Sequence, residues 1–341
     1  MKKSILILSI LCAQQSFANI FSDSSTFYFE KGIAEKNEKR FLTASANFEK
    51  AISFNRNFTE AYIENGLANK EMHKTDQLKA NFLKAYELQP GNVQVIKELT
   101  NLFYDYRQWE KAAEFANKCV GCDNADRIIG LCNYETENYV AAEKFLLKAL
   151  AKNSEDALVN YTLGRTYMDM EVYRKAVPYF EKAAALNPEK NTWAYELGLL
   201  YYNNNNYRSA VTAFENAAKN GYVANNDYNE NYGYALLYSG QYAKGEEKLL
   251  GVYQKKGNKE MLRDLAQILY EQKQYDRSLD YCQKLMEADP KDAKALYQAG
   301  LTFQKIGQKD KGQGMCDKAI EMDPSLASKK TKSMDLGGGA L

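Results

Sequence analysis

The segment Tyr161-Thr-Leu-Gly-Arg-Thr-Tyr167 returns thirty-four residues later as Tyr195-Glu-Leu-Gly-Leu-Leu-Tyr201, and Ala176-Val-Pro-Tyr-Phe180-Glu-Lys-Ala183 returns at the same spacing as Ala210-Val-Thr-Ala-Phe214-Glu-Asn-Ala217. A fixed period of this length, with small residues at set places, is the mark of a stacked array of helix pairs. Working outward from this stretch, and numbering each unit so that the Leu-Gly glycine is position 8, the chain divides into nine units. They span 25–58, 59–92, 93–122, 123–156, 157–190, 191–225, 226–258, 259–292 and 293–326. Position 8 is glycine in seven of the nine, the exceptions being Thr100 and Ala266. Position 20 is small almost throughout, from Ala44 to Gly312, and position 24 carries fillers such as Phe48, Phe82, Phe180 and Phe214. Small residues where two helices cross let the axes approach, which a bulky side chain would prevent. Pro90, Pro188, Pro290 and Pro324 all fall at position 32, where each ends a second helix; Pro178 alone falls inside one.

A period of thirty-four with Leu-Gly, a following aromatic, then Ala, Phe, Ala and a closing Pro resembles the tetratricopeptide repeat. The resemblance covers Ser25 to about Leu326. It implies an all-α fold, a right-handed superhelical solenoid of about nine helix-turn-helix units, each packed on its neighbours. That also accommodates 341 residues, a length beyond the roughly 250–300 over which a single core usually grows. The third unit is four residues short, so its turn around Val120 is expected to be irregular.

The first residues read Met1-Lys2-Lys3, then an apolar run from Ile5 to Ala13, then Ser16-Phe17-Ala18. This is the pattern of a secretory signal peptide over 1–18, cut after Ala18, and the run is too short to span a membrane. The expectation is an exported protein of the periplasm or cell envelope, with 19–24 as a linker and 327–341 as a polar capping segment and flexible tail. Loss of Lys2 and Lys3 would take the formal net charge from +1 to −1. Such neutrality argues against nucleic acid as a partner.

Five cysteines remain after the signal. Cys119-Val-Gly-Cys122 has the spacing of a redox pair, but Cys119 closes a second helix, where the negative end of the dipole disfavours a thiolate. Cys119, Cys122 and Cys132 are candidates for a structural disulfide, joined as the first two or as either of them with the third, with free thiols as the alternative. Cys282 and Cys316 read as small core fillers. His73 is the one histidine, so neither a zinc site nor a catalytic base with its partners is expected, and the reading is of a non-enzyme with no metal or cofactor.

In proteins with this repeat, the first helix of each unit lines an inner groove through positions 2, 5, 9, 12 and 13. Those positions here hold Tyr104, Tyr134, Tyr161, Tyr195, Tyr202, Tyr234, Tyr238, Tyr270 and Tyr297, interleaved with Lys97, Asn101, Arg127, Arg165 and Arg263. Tyrosine and arginine are enriched at binding hot spots. The resemblance therefore implies a groove for an extended peptide or a partner's helix; the competing reading is that many of the 26 tyrosines merely stack between units. In the branch of the family that clamps a C-terminal carboxylate, Lys97 and Asn101 match the first unit of the clamp, but Ile128, Leu158 and Thr162 do not match the rest. The function expected is a non-catalytic scaffold or adaptor for protein partners, with a redox accessory using Cys119 and Cys122, or a self-associating homo-oligomeric array, as the alternatives.

Overall fold

A computed structural model describes residues 24–327; the signal peptide, its cleavage site, most of the linker and the tail from 328 onward lie outside the described residues. The chain divides into two compact units, one ending at Val172 and the other beginning at Tyr173. Among the described residues the first contains α1 (24–37), α2 (Phe41–Phe54), α3 (Thr59–Glu71), α4 (Thr75–Leu88), α5 (Val93–Asp105), α6 (Trp109–Lys118), α7 (Ala125–Glu135), α8 (Tyr139–Lys152) and α9 (Ala157–Asp169). The second contains α10 (Tyr173–Leu186), α11 (Asn191–Asn203), α12 (Tyr207–Lys219), α13 (Asn226–Tyr238), α14 (Tyr242–Lys256), α15 (Lys259–Glu271), α16 (Tyr275–Ala288), α17 (Ala293–Lys305) and α18 (Lys309–Met322), closed by the 3-10 turn η1 (Pro324–Leu326). The eighteen helices match nine repeats of two, and α3, α5, α9, α11, α13, α15 and α17 begin on the first residue of a repeat.

Each first helix stops the same way. Position 15 of every repeat is left-handed: Lys39, His73, Arg107, Glu137, Glu171, Asn205 and Lys273, with φ between 55° and 60°, and Gly240 and Gly307 at 88° and 92°. The next amide reaches back five residues, as from Lys74 to the carbonyl of Asn69 and from Gln241 to that of Leu236. That pairing satisfies carbonyls the helix end would leave bare. The first helices also start on side-chain caps in several repeats: Asn92, Asp156, Asn225, Asn258 and Asp292 accept from an amide of the first turn. Second helices end two residues before their prolines, while α10 runs unbroken through Pro178.

The crossings explain the small residues. A Cβ built on Gly198 would lie 2.7 Å from the Phe214 ring, and one on Gly312 would lie 2.5 Å from the carbonyl oxygen of Gly300, so in the ninth repeat the two backbones themselves are the contact. Around the crossings, Phe48, Phe82, Leu146, Phe180 and Phe214 are fully buried. The third repeat departs from its siblings. Helix α6 ends after 10 residues, the chain turns through Cys119–Cys122, and α7 begins two residues after the repeat boundary. Both cysteines are buried against Ile128, Ile129 and Cys132.

Candidate partner-binding groove

The groove positions are best followed within each compact unit. In the first, Lys97 and Asn101 are exposed and border a hollow of about 280 Å³ whose wall includes Cys119 and Cys122. Tyr104 is half-buried with its ring edge-on to Trp109 at 5.4 Å, and burial pushes its phenol up against the opposing effect of Arg127. Tyr134 leans on Tyr139 at 6.1 Å. Burial raises its pKa to about 12, with Arg165 and Asp169 beside it. Tyr161 and Arg165 are half-buried as well. Arg127 Nε donates to Asp156 Oδ2 at 2.7 Å, and Asp156 is the residue that caps α9.

In the second unit, Tyr195 turns inward. Its ring stacks on Tyr222 of the same repeat at 4.5 Å, and its hydroxyl accepts from Asn231 Nδ2 of the next at 2.9 Å, so both its face and its hydroxyl have partners within this chain. Tyr297 is 6% exposed and packs with Ala293, Cys316, Ala319 and Leu326. It forms part of the floor of the hollow that also holds Arg263 and Tyr270, beside Leu326 of η1. Arg263 likewise differs from its expected role. Its Nη2 donates to Asp292 Oδ2 at 2.6 Å, its Nη1 is bonded to Glu260, and Asp292 caps α17. Arg127 and Arg263 thus tie one repeat to the first helix of the next, and their carboxylate partners come from this chain.

What remains is a cluster of half-exposed rings. Tyr202 lies edge-on to Tyr207 at 5.5 Å, Tyr207 stacks on Tyr238 at 4.7 Å, and Tyr202 and Tyr238 stand 6.2 Å apart at 59°. Tyr202, Tyr234 and Tyr238 line a groove of about 440 Å³ together with Glu230, Asp264, Gln267 and Glu271. A second hollow of about 370 Å³ follows, with Tyr270, Arg263, Lys294 and Gln298 on its walls; Tyr270 is edge-on to Tyr275 at 5.8 Å. Tyr234 donates to Asp264 Oδ2 at 2.9 Å. Burial, then the Asp264 carboxylate, drives its phenol well above the ordinary tyrosine range, and burial together with Tyr238, Tyr207 and Asp264 lifts Tyr202 to about 12. The carboxylates of this groove were missed by a reading that looked for tyrosine and cations. Glu230 and Glu271 occupy positions 5 and 13 of their repeats, so those two carry a positional signal, whereas Asp264 stands at position 6 and carries none.

The cysteines offer no exposed chemistry. Cys119 and Cys122 are joined, with Cα atoms 5.5 Å apart, and both are buried. Cys119 sits at the C-terminal end of α6. Cys132, Cys282 and Cys316 are buried free thiols; burial pushes Cys132 and Cys282 up to about 12. Among the described residues no group of three or more His, Cys, Asp or Glu side chains is placed to hold a metal ion, and no helix is long and apolar enough to cross a membrane.

Tetratricopeptide-repeat family models match residues 161–228, 195–258 and 233–293, and a second such model matches 293–326. No curated protein matches the chain. Among solved structures, that of YrrB, described as a TPR protein with an unusual peptide-binding site, is 26% identical over 54% of this chain and 97% of its own, with a TM-score of 0.39. That of MamA is 25% identical over 48% of this chain and 91% of its own, with a TM-score of 0.44. The TPR domain of P58(IPK) is 14% identical over 93% and 99%, with a TM-score of 0.29.

Proposed function

Because the chain is a tetratricopeptide-repeat protein, an all-α repeat array of the kind that serves as a protein-protein interaction scaffold, we propose that it acts without catalysis as an adaptor of the cell envelope, taking a peptide or partner helix in a tyrosine-lined groove. The observation that carries this reading is the groove of Tyr202, Tyr234 and Tyr238, three rings that stay half-exposed although the fold has cores enough to bury them. Tyrosine offers large rigid contact area at little entropic cost and a polar tip for a partner's backbone. An extended segment laid along successive first helices would meet such rings once or twice per repeat, which is how a shallow groove builds affinity from modest contacts. The envelope assignment rests on the signal pattern of residues 1–18.

Two measurements test the proposal. Exported protein should begin at Asn19; a retained Met1 would remove the envelope adaptor. Tyr202→Ala with Tyr234→Ala should lower recovery of cross-linked envelope partners by about tenfold or more, each ring being worth roughly 1–2 kcal/mol at a hot spot, with helical content unchanged. Glu181→Lys, whose carboxylate on α10 accepts from Tyr201 and does not line this groove, should leave recovery intact. Equal recovery by the double variant would reject the groove.

A further inference from the structure

The third repeat replaces the last turn of its second helix with Cys119-Val120-Gly121-Cys122, and the bridge between the two cysteines stands where its siblings have helix. We infer that this disulfide is a redox-operated latch: a dithiol donor that reduces it frees the turn between α6 and α7 and loosens the hollow beside Lys97 and Asn101. The inference does not rest on the tyrosine groove, which none of these residues lines.

The first argument is what the bridge replaces. Helix α6 has 10 residues, whereas the other second helices have 13 to 15. Helix α7 also starts without help: Asn124 makes no side-chain cap bond, unlike Asn92 before α5 and Asp156 before α9. The backbone of the turn hangs on the cysteines themselves. Cys119 N donates to the Ala116 carbonyl at 3.1 Å, Cys122 N to that of Cys119 at 3.2 Å, and Ala125 N to that of Cys122 at 3.1 Å. On the outside nothing holds the loop, for Val120 is 86% exposed and a Cβ on Gly121 would meet nothing within 4 Å. A segment with so few contacts of its own opens locally once its tether is cut.

The second argument is access and what reduction leaves behind. Cys119 and Cys122 both line the hollow of about 280 Å³, with Lys97, Asn101 and Ile128 on the other walls. A small dithiol reaches the bridge from there. One of its thiolates attacks a sulfur of the pair, forming a mixed disulfide and releasing the other cysteine. The second thiolate then displaces the first cysteine, so the donor leaves as a disulfide while its two electrons and two protons pass to Cys119 and Cys122. Cys132, packed in the same core, does not intervene: it is a buried free thiol, and burial keeps it protonated. Reoxidation therefore restores the same pair. A bridge over so short a loop constrains the unfolded chain little, so its effect is felt in the turn and not in the melting of the array.

The test uses the full chain, oxidised, at neutral pH without denaturant. Dithiothreitol should expose two further thiols to iodoacetamide, at Cys119 and Cys122. Amide exchange over residues 116–128 should quicken by about tenfold, with exchange in α13 to α15 and the melting temperature nearly unchanged. Oxidised glutathione should reverse both changes. Cys119→Ser with Cys122→Ser should exchange at the fast rate from the start and ignore the reductant. Two new thiols with no change in exchange would make the bridge a passive link and overturn the inference. A bridge that resists dithiothreitol until the helices melt would overturn it as well.

Discussion

At the scale of single residues, this chain assigns the left-handed position of each first-helix turn to whichever residue stands there. Seven of the nine are not glycine, so the turn gives no compositional signal, whereas the glycines at position 8 were readable because at crossings such as Gly198 and Gly300 a lone Cβ already meets the facing helix closer than 3 Å. A side chain at φ near +60° sets Cβ against the following carbonyl oxygen. Lys273→Gly should therefore stabilise by about 0.5–1 kcal/mol, the steric relief less the extra entropy that glycine loses on folding. Gly240→Ala should cost about the same; nothing lies within 4 Å of a Cβ there, so its effect is conformational alone. Urea unfolding of the two variants checks both signs. The tyrosines carry a pH dependence. Tyr202, Tyr134 and Tyr228 are each raised to about 12 by burial first, against about 10 in an unfolded chain. Stability is untouched below pH 10, where both states hold the proton, and falls as pH rises from 10 through 12, because the unfolded state releases protons that the folded state keeps. Phenolate absorbance should lag behind that of free tyrosine and rise steeply with unfolding; a titration centred near 10 in a still-helical protein would contradict it.

At the scale of elements, the arginines show what periodicity can and cannot reveal. That Arg127 and Arg263 occupy position 5 was plain from the sequence. That each would be taken by an aspartate twenty-nine residues later, which also caps the next first helix, depends on the close approach of successive first helices and on rotamers that no pattern encodes. Asp292 does two jobs: one oxygen accepts the amide of Ala295 at 3.0 Å and the other the Arg263 guanidinium at 2.6 Å, and the side chain is only 4% exposed. The two can be separated. Asp292→Asn keeps the cap, since asparagine caps as well as aspartate, and loses the charge. Asp292→Ala loses both, at about 1 kcal/mol for the cap beyond the cost of leaving the Arg263 guanidinium unanswered. Thermal unfolding should rank wild type above Asn above Ala; equal Asn and Ala variants would mean that the cap contributes nothing. The third repeat is the other place where element-level reading reached its limit. Its shortness marked the turn as irregular, but the choice among Cys119, Cys122 and Cys132 was left open, because the burial of Cys132 against α6 depends on how α7 is set by its delayed start.

At the scale of the whole chain, the phase of all nine repeats was legible because position 8 and its filler at position 24 must face each other in every repeat, and that requirement recurs at a fixed spacing. The division between Val172 and Tyr173 was not legible: it falls in the turn after Glu171, whose backbone is the same left-handed turn found in every other repeat. Arrays of this kind derive their stability from each repeat and its contacts with neighbours. Within the second unit the principal packing joins helices that are adjacent or next but one in order, such as α11 with α12, α12 with α13, and α13 with α15. Damage should therefore stay local. Gly198→Leu places a branched side chain where a lone Cβ already meets Phe214 at 2.7 Å, an overpacking that costs about 1–3 kcal/mol. Amide exchange should quicken in α11 and α12, less in α13, and hardly at all in α1 to α5. A single cooperative core would instead loosen all of its helices together, so uniform acceleration from α1 to α18 would show that the repeats do not carry their stability locally.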